Sequence, residues 1–111
     1  MKVAVIGSRN LKIDDLGKYL PAETDEIVSG GARGVDTCAR NYARTHGIAL
    51  KEFLPDYETV GRRAPILRNL EIIDYADIVL AFWDGKSAGT AFVIENCKKK
   101  NVPCKLFKVA K

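Results

Sequence analysis

Glu26-Ile27-Val28-Ser29-Gly30-Gly31-Ala32-Arg33-Gly34-Val35-Asp36 joins a short apolar run, three glycines and the start of a helical repeat. Residues 26–29 read as a short apolar strand, and the glycines at 30, 31 and 34 break it at once. From Val35 onward Val35, Cys38, Ala39, Tyr42 and Ala43 recur at helical spacing and predict a helix over 35–45. A strand that turns through glycines directly into a helix is the building unit of a parallel α/β sheet. His46-Gly47 closes that helix, and His46 there suits the negative end of the helix dipole.

The same alternation continues on both sides. Residues 2–6 read as a first strand, Gly7-Ser8-Arg9-Asn10 as its turn, and residues 14–20 as a helix closed by Pro21. A third strand is expected over 48–54, followed by a polar connection over 55–63 that holds Tyr57 and the pair Arg62-Arg63. A helix over 67–75 precedes residues 78–82, the most apolar strand and therefore the central one. A second glycine-rich loop over 83–89, a helix over 90–100 and a strand over 103–109 complete the chain. The pattern predicts a single three-layer, Rossmann-like α/β domain over 1–111, with a mostly parallel sheet of about five strands.

Composition agrees with a globular domain: 47% of residues are hydrophobic and 29% charged. The net charge of +4 favours an anionic ligand but is too small to argue for nucleic acid. The apolar run after Met1 is too short for a signal peptide, and no stretch approaches a membrane span. Cys38, Cys97 and Cys104 are odd in number and lack metal-ligand spacing, which reads as free thiols in a cytoplasmic protein without a metal.

Three strand ends carry small or polar residues: Gly7-Ser8-Arg9, Ser29 to Asp36, and Asp84 to Thr90. In open parallel sheets ligands bind outside the carboxyl ends of the strands, so these loops are expected to face one crevice. Gly7, Gly30, Gly31, Gly34, Gly85 and Gly89 would let backbone N–H groups approach an anion, at the N-termini of the helices that follow. Arg9 and Arg33 would bond phosphate oxygens. Ser8, Ser29, Ser87 and Thr90 offer hydroxyls, Ser87 and Thr90 either to a phosphate or as helix caps. Asp36 falls in a first helical turn, where a carboxylate suits the dipole or accepts from a ligand hydroxyl. The loops match neither the dinucleotide fingerprint nor the P-loop. An apolar set on the helix before the central strand, Ala64, Ile66, Leu67, Leu70 and Ile73, suggests a homodimer.

With these loops in place, the chain resembles the SLOG superfamily, which unites DNA-processing protein A with the LOG-like phosphoribohydrolases. More narrowly it resembles the small YspA-like branch of unknown function. Ile27 to Asp36 is similar to the Ser-Gly-x-Ala-x-Gly-Ile-Asp signature of DNA-processing protein A. Arg68-Asn69 matches an arginine that opens a helix in both relatives, and Asp84-Gly85-Lys86-Ser87-Ala88-Gly89-Thr90 stands at their Pro-Gly-Gly-x-Gly-Thr loop. The resemblance implies a nucleotide-like ligand such as ADP-ribose or another NAD-derived molecule, with Arg68 reaching over it, in a sensor or binding module.

The alternative is a nucleoside-monophosphate N-glycosidase, with Asp36 or Glu71 as acid–base candidates. The catalytic glutamate of the phosphoribohydrolases, three positions after Gly-Thr, is Val93 here. Glu95 lies about 200° of helix rotation away from that position. Single-stranded DNA is a minor alternative. DNA-processing protein A carries additional domains, and no aromatic residues interleave with a basic stripe here.

Overall fold

The computed structural model describes residues 1–109. Five strands, β1 (Lys2–Gly7), β2 (Glu26–Ser29), β3 (Ala49–Glu52), β4 (Ile78–Trp83) and β5 (Cys104–Lys108), form one sheet in the order β3-β2-β1-β4-β5. Every neighbouring pair is parallel. Four helices accompany them: α1 (Val35–Thr45), α2 (Tyr57–Val60), α3 (Ala64–Tyr75) and α4 (Ala88–Lys100).

Strand periodicity divides the core into two layers. Val3, Val5, Ile27, Leu80 and Phe82 point to one face and pack with Val35, Ala39 and Ala43 of α1. Ala4, Ile6, Val28, Val79 and Ala81 point to the other and pack with Ile72, Ile73 of α3 and Val93, Cys97 of α4. β1 and β4 are buried on both faces, as expected for near-continuous apolar strands at a sheet centre.

Two expectations from the sequence fail locally. The helix expected over 14–20 is only a 3-10 turn at Leu16–Lys18, and Asp15 makes no side-chain cap to it. Gly17 sits against Tyr42 of α1, where a Cβ would lie 2.5 Å from the phenol oxygen. The segment is thus held flat on α1 by Leu16 and the neighbouring apolar residues rather than coiled into a helix. The connection over 55–63 is instead helical: α2 begins at an Asp56 cap whose Oδ1 accepts from Thr59 N–H at 3.2 Å. A 3-10 turn at Gly61–Arg63 leads into α3, which has Pro65 in its first turn.

Of the apolar set on α3, Ala64 and Ile73 are buried in the chain's own core, Leu67 and Leu70 are half-buried, and Ile66 is exposed. No helix among the described residues is long and apolar enough to cross a membrane.

Gly34, the residue that starts α1, has φ +71°, and a Cβ on it would run into the Arg9 and Ser8 carbonyls. Gly47 also has positive φ (+64°) but faces open space. Gly34→Ala should therefore lower stability by roughly 2–4 kcal/mol, from backbone strain plus overpacking. Gly47→Ala should cost only about 1–2 kcal/mol, from strain alone. Urea denaturation of both variants checks this ordering, and equal losses would refute the close approach at Gly34.

Candidate functional site

The strand order changes direction at β1, whose chain neighbour β2 lies on one side and β4 on the other. Above the carboxyl ends of these central strands is a cleft of about 320 Å³. The β1 loop contributes Gly7, Ser8, Arg9 and Asn10 to it, and the β2 loop contributes Gly30, Ala32 and Asp36. From α3 come Pro65, Arg68, Asn69 and Ile72; Asp84, Ser87, Gly89, Thr90 and Val93 close the other side.

Arg68 organises the cleft. It is only 8% exposed, donates from Nη1 to the Gly30 carbonyl at 2.6 Å and from Nε to Asn69 Oδ1 at 2.8 Å. A Cβ at residue 30 would stand 2.5 Å from Nη1. Glycine at 30 is therefore needed for the arginine of the same chain, a reason the sequence did not reveal. Burial pulls the Arg68 guanidinium below its ordinary pKa, while the Asp36 charge opposes that shift. It remains a cation in any ordinary solution.

Asp36 is buried in the first turn of α1. Its Oδ2 accepts from Ala32 N–H at 3.1 Å, whereas Oδ1 is buried with no hydrogen-bond partner. Burial raises the Asp36 carboxyl above its ordinary value, opposed by the Ala32 N–H and the Arg68 charge.

Across the cleft, Asp84 is fully engaged with its own loop. Its Oδ1 accepts from the N–H groups of Lys86 and Ser87, both at 2.8 Å, and its Oδ2 accepts from Ser87 Oγ at 3.1 Å. These bonds hold its carboxyl well below the usual carboxylate range. Ser8 Oγ accepts from Asp84 N–H at 3.2 Å, so the two loops are stitched together. With Ser87 N–H taken by Asp84, the N–H groups of Ala88, Gly89 and Thr90 remain at the start of α4 without acceptors among the described residues. Thr90 is buried with its side chain on the cleft.

The expected site residues therefore divide. Gly7, Ser8, Arg9, Gly30, Asp36, Arg68, Asp84, Ser87, Gly89 and Thr90 line the cleft together. Gly31 and Arg33 line a smaller adjoining cavity. Ser29 lies beneath the floor, fully buried, with its Oγ accepting weakly from Gly31 N–H at 3.4 Å. Gly34 serves the packing of the β1 loop, and Gly85 (φ +86°) shapes the turn below Asp84. Glu71 is exposed and absent from the cleft wall: on α3 it lies roughly 100° around from the stripe of Pro65, Arg68, Asn69 and Ile72. Val93 is on the wall and Glu95 is exposed.

Asn10 and Asn69 line the cleft without having been singled out. The helical spacing of Asn69 from Pro65 and Ile72 is the signal that could have found it. His46 ends α1 with Nδ1 3.1 Å from the Tyr42 carbonyl and its ring stacked on Tyr42. No cluster of three potential metal-binding side chains occurs among the described residues.

No family profile matches the chain. The Gene 61 protein of Mycobacterium phage D29 is 37% identical over 83 residues, which is 69% of this chain and 66% of the phage protein. The crystal structure of DNA processing protein A from Streptococcus pneumoniae superimposes with a TM-score of 0.74 at 20% sequence identity. That match covers 98% of this chain and 50% of the other, so the chain has the fold found in half of that protein.

The titration of Asp36 gives a test. Because burial raises its folded pKa above the ordinary 3.8, its contribution to stability is full below that pH and is lost as pH rises through the folded value. The buried, half-partnered carboxyl therefore weighs against the fold at pH values above that range. Asp36→Asn should raise the urea midpoint at pH 7, with the gain shrinking towards pH 4. A lower midpoint at pH 7 would contradict the assignment.

Proposed function

We propose that this chain is a SLOG-type module that binds a nucleotide or nucleotide derivative, with its phosphate at the start of α4. The carrying observation is the acceptor-free helix start of α4, whose Gly89 and Thr90 line a cleft at the switch point of a parallel sheet. A helix start of this kind favours an anion through both its N–H groups and its dipole. Ser87 and Thr90 add hydroxyls, and Arg68 supplies a fixed cation opposite them. The fold likeness to DNA processing protein A supports the superfamily reading, in which ADP-ribose or another NAD-derived molecule is the expected ligand class.

The site residues favour holding a ligand over cleaving one. Of the carboxylates weighed as acid–base groups, Asp36 is on the cleft, Glu71 is not, and Val93 stands where the phosphoribohydrolases carry glutamate. Titration with AMP, ADP-ribose, NAD and an oligonucleotide, followed by an assay for released base, separates the readings. Binding of a mononucleotide without base release is expected. Release of base would favour the N-glycosidase. Binding of the oligonucleotide alone, falling steeply with salt, would favour single-stranded DNA.

Gly89 tests the phosphate position directly, because a side chain there meets open space rather than protein. A carboxylate in the first turn also suits the helix dipole, so Gly89→Asp should leave the melting temperature unchanged or higher. Its charge would occupy the anion position, and AMP affinity should fall at least tenfold. Retained affinity would place the phosphate elsewhere.

A further inference from the structure

Beside Arg68 the cleft continues into a second cavity of about 190 Å³. Gly30, Ala32, Arg9 and Arg68 belong to both spaces, and Arg33 belongs to the second alone. Its wall thus carries three guanidinium groups and no carboxylate. Among the described residues the ion pairs lie elsewhere, at Met1–Asp25, Arg40–Glu52 and Lys100–Asp74. Arg40, a few residues along from Arg33, is held by Glu52 at 2.9 Å; Arg9, Arg33 and Arg68 have no such partner.

Like charges around one small space repel: burial lowers the Arg68 pKa and Arg9 adds to that, against the opposing charges of Asp36 and Tyr57. An arrangement of this kind is relieved by an anion that accepts from several guanidinium groups at once. The cavity also lies across Arg68 and Gly30 from the α4 wall, since none of Ser87, Gly89 and Thr90 reaches it. A single phosphate at the start of α4, on the cleft that Arg9 and Arg68 also line, therefore leaves Arg33 unanswered.

We infer that the arginine-lined cavity is a second anion subsite, so that the ligand is a nucleotide with two phosphoryl groups, one at the start of α4 and one among Arg9, Arg33 and Arg68. This rests on the nucleotide reading of the main cleft and adds to it the number of the anionic groups. Arg33 is the residue that distinguishes the two subsites, because it is exposed and lines only the second.

The experiment compares three probes by calorimetry: AMP, with one phosphoryl group; ADP, with two adjacent; and adenosine 3′,5′-bisphosphate, with two set apart across the ribose. The bisphosphate is expected to bind at least tenfold more tightly than AMP. Arg33→Ala should remove most of that advantage while changing AMP affinity less than twofold. An Arg33-dependent gain shown by ADP instead would keep the second subsite and assign it to a pyrophosphate-linked ligand. Equal affinity for all three probes, or an Arg33→Ala loss shared equally by AMP, would overturn the inference while leaving the nucleotide reading intact. Failure of AMP and both diphosphates to bind would overturn the nucleotide reading itself.

Discussion

The site depends on one constraint of topology: after building β1, β2 and β3 outward in one direction, the chain must return from β3 past β2 and β1 to lay down β4. Parallel strands need a crossover, and crossovers on a twisted sheet take one hand. The connections from β1 to β3 therefore occupy one face and those from β3 to β5 the other, which is how the two core layers are populated. At β1 and β4 the loops leave towards opposite faces, and the gap between them cannot be filled by either. The cleft is thus a consequence of strand order before any side chain is considered.

Side chains then determine what the gap can hold. α3 carries the return crossover, and Arg68 on it anchors to the Gly30 carbonyl at the end of β2. A buried guanidinium with a neutral carbonyl and a side-chain amide as partners keeps most of its charge uncompensated, so it acts as a fixed positive potential in a low-dielectric wall. Asp36 lies close enough for each charge to shift the other's titration, yet the two form no ion pair. Both groups are therefore held short of full satisfaction. On the opposite wall Asp84 does the reverse: it consumes its own bonding capacity to fix the turn, and so leaves only the deeper N–H groups of α4 open.

Much of this was legible because period and punctuation coincide. β2 and α1 match their expected bounds, since an apolar strand, three glycines and a helical repeat follow one another without ambiguity. The 3-10 turn at Leu16–Lys18 was not legible, because the segment packs against residues distant in sequence, with Gly17 lying against Tyr42 and Leu16 joining the α1 layer of the core. α2 was missed although its signal is local: Asp56 followed by Thr59 is a capping pattern, and Pro65 marks a first helical turn. For the site, the loop residues could be placed on one sheet edge from topology alone. Which glycine serves a ligand and which serves the chain could not, since that depends on what a Cβ would meet. Gly30 makes room for Arg68 and Gly34 for the Arg9 backbone, while only Gly89 faces open space among the cleft's glycines.

That distinction bears on Val93. Along α4, Gly89, Thr90 and Val93 share the face towards the cleft, so the three are read together by anything bound there. Thr90 and the helix start offer hydrogen bonds to an anion, and one turn further in Val93 offers only an apolar wall, continuous with Ile72 and Ile6. A polar ligand group is thus favoured at the helix start and an apolar surface below it, which suits the flat face of a base or sugar ring better than a reacting bond. Proton chemistry in the cleft would fall to Asp36, whose Oδ2 is already engaged with Ala32 N–H and whose Oδ1 is buried. A carboxyl so placed is poorly positioned to exchange protons with solvent. The physics of the wall, more than the lack of the glutamate at 93, is what supports the binding reading proposed above.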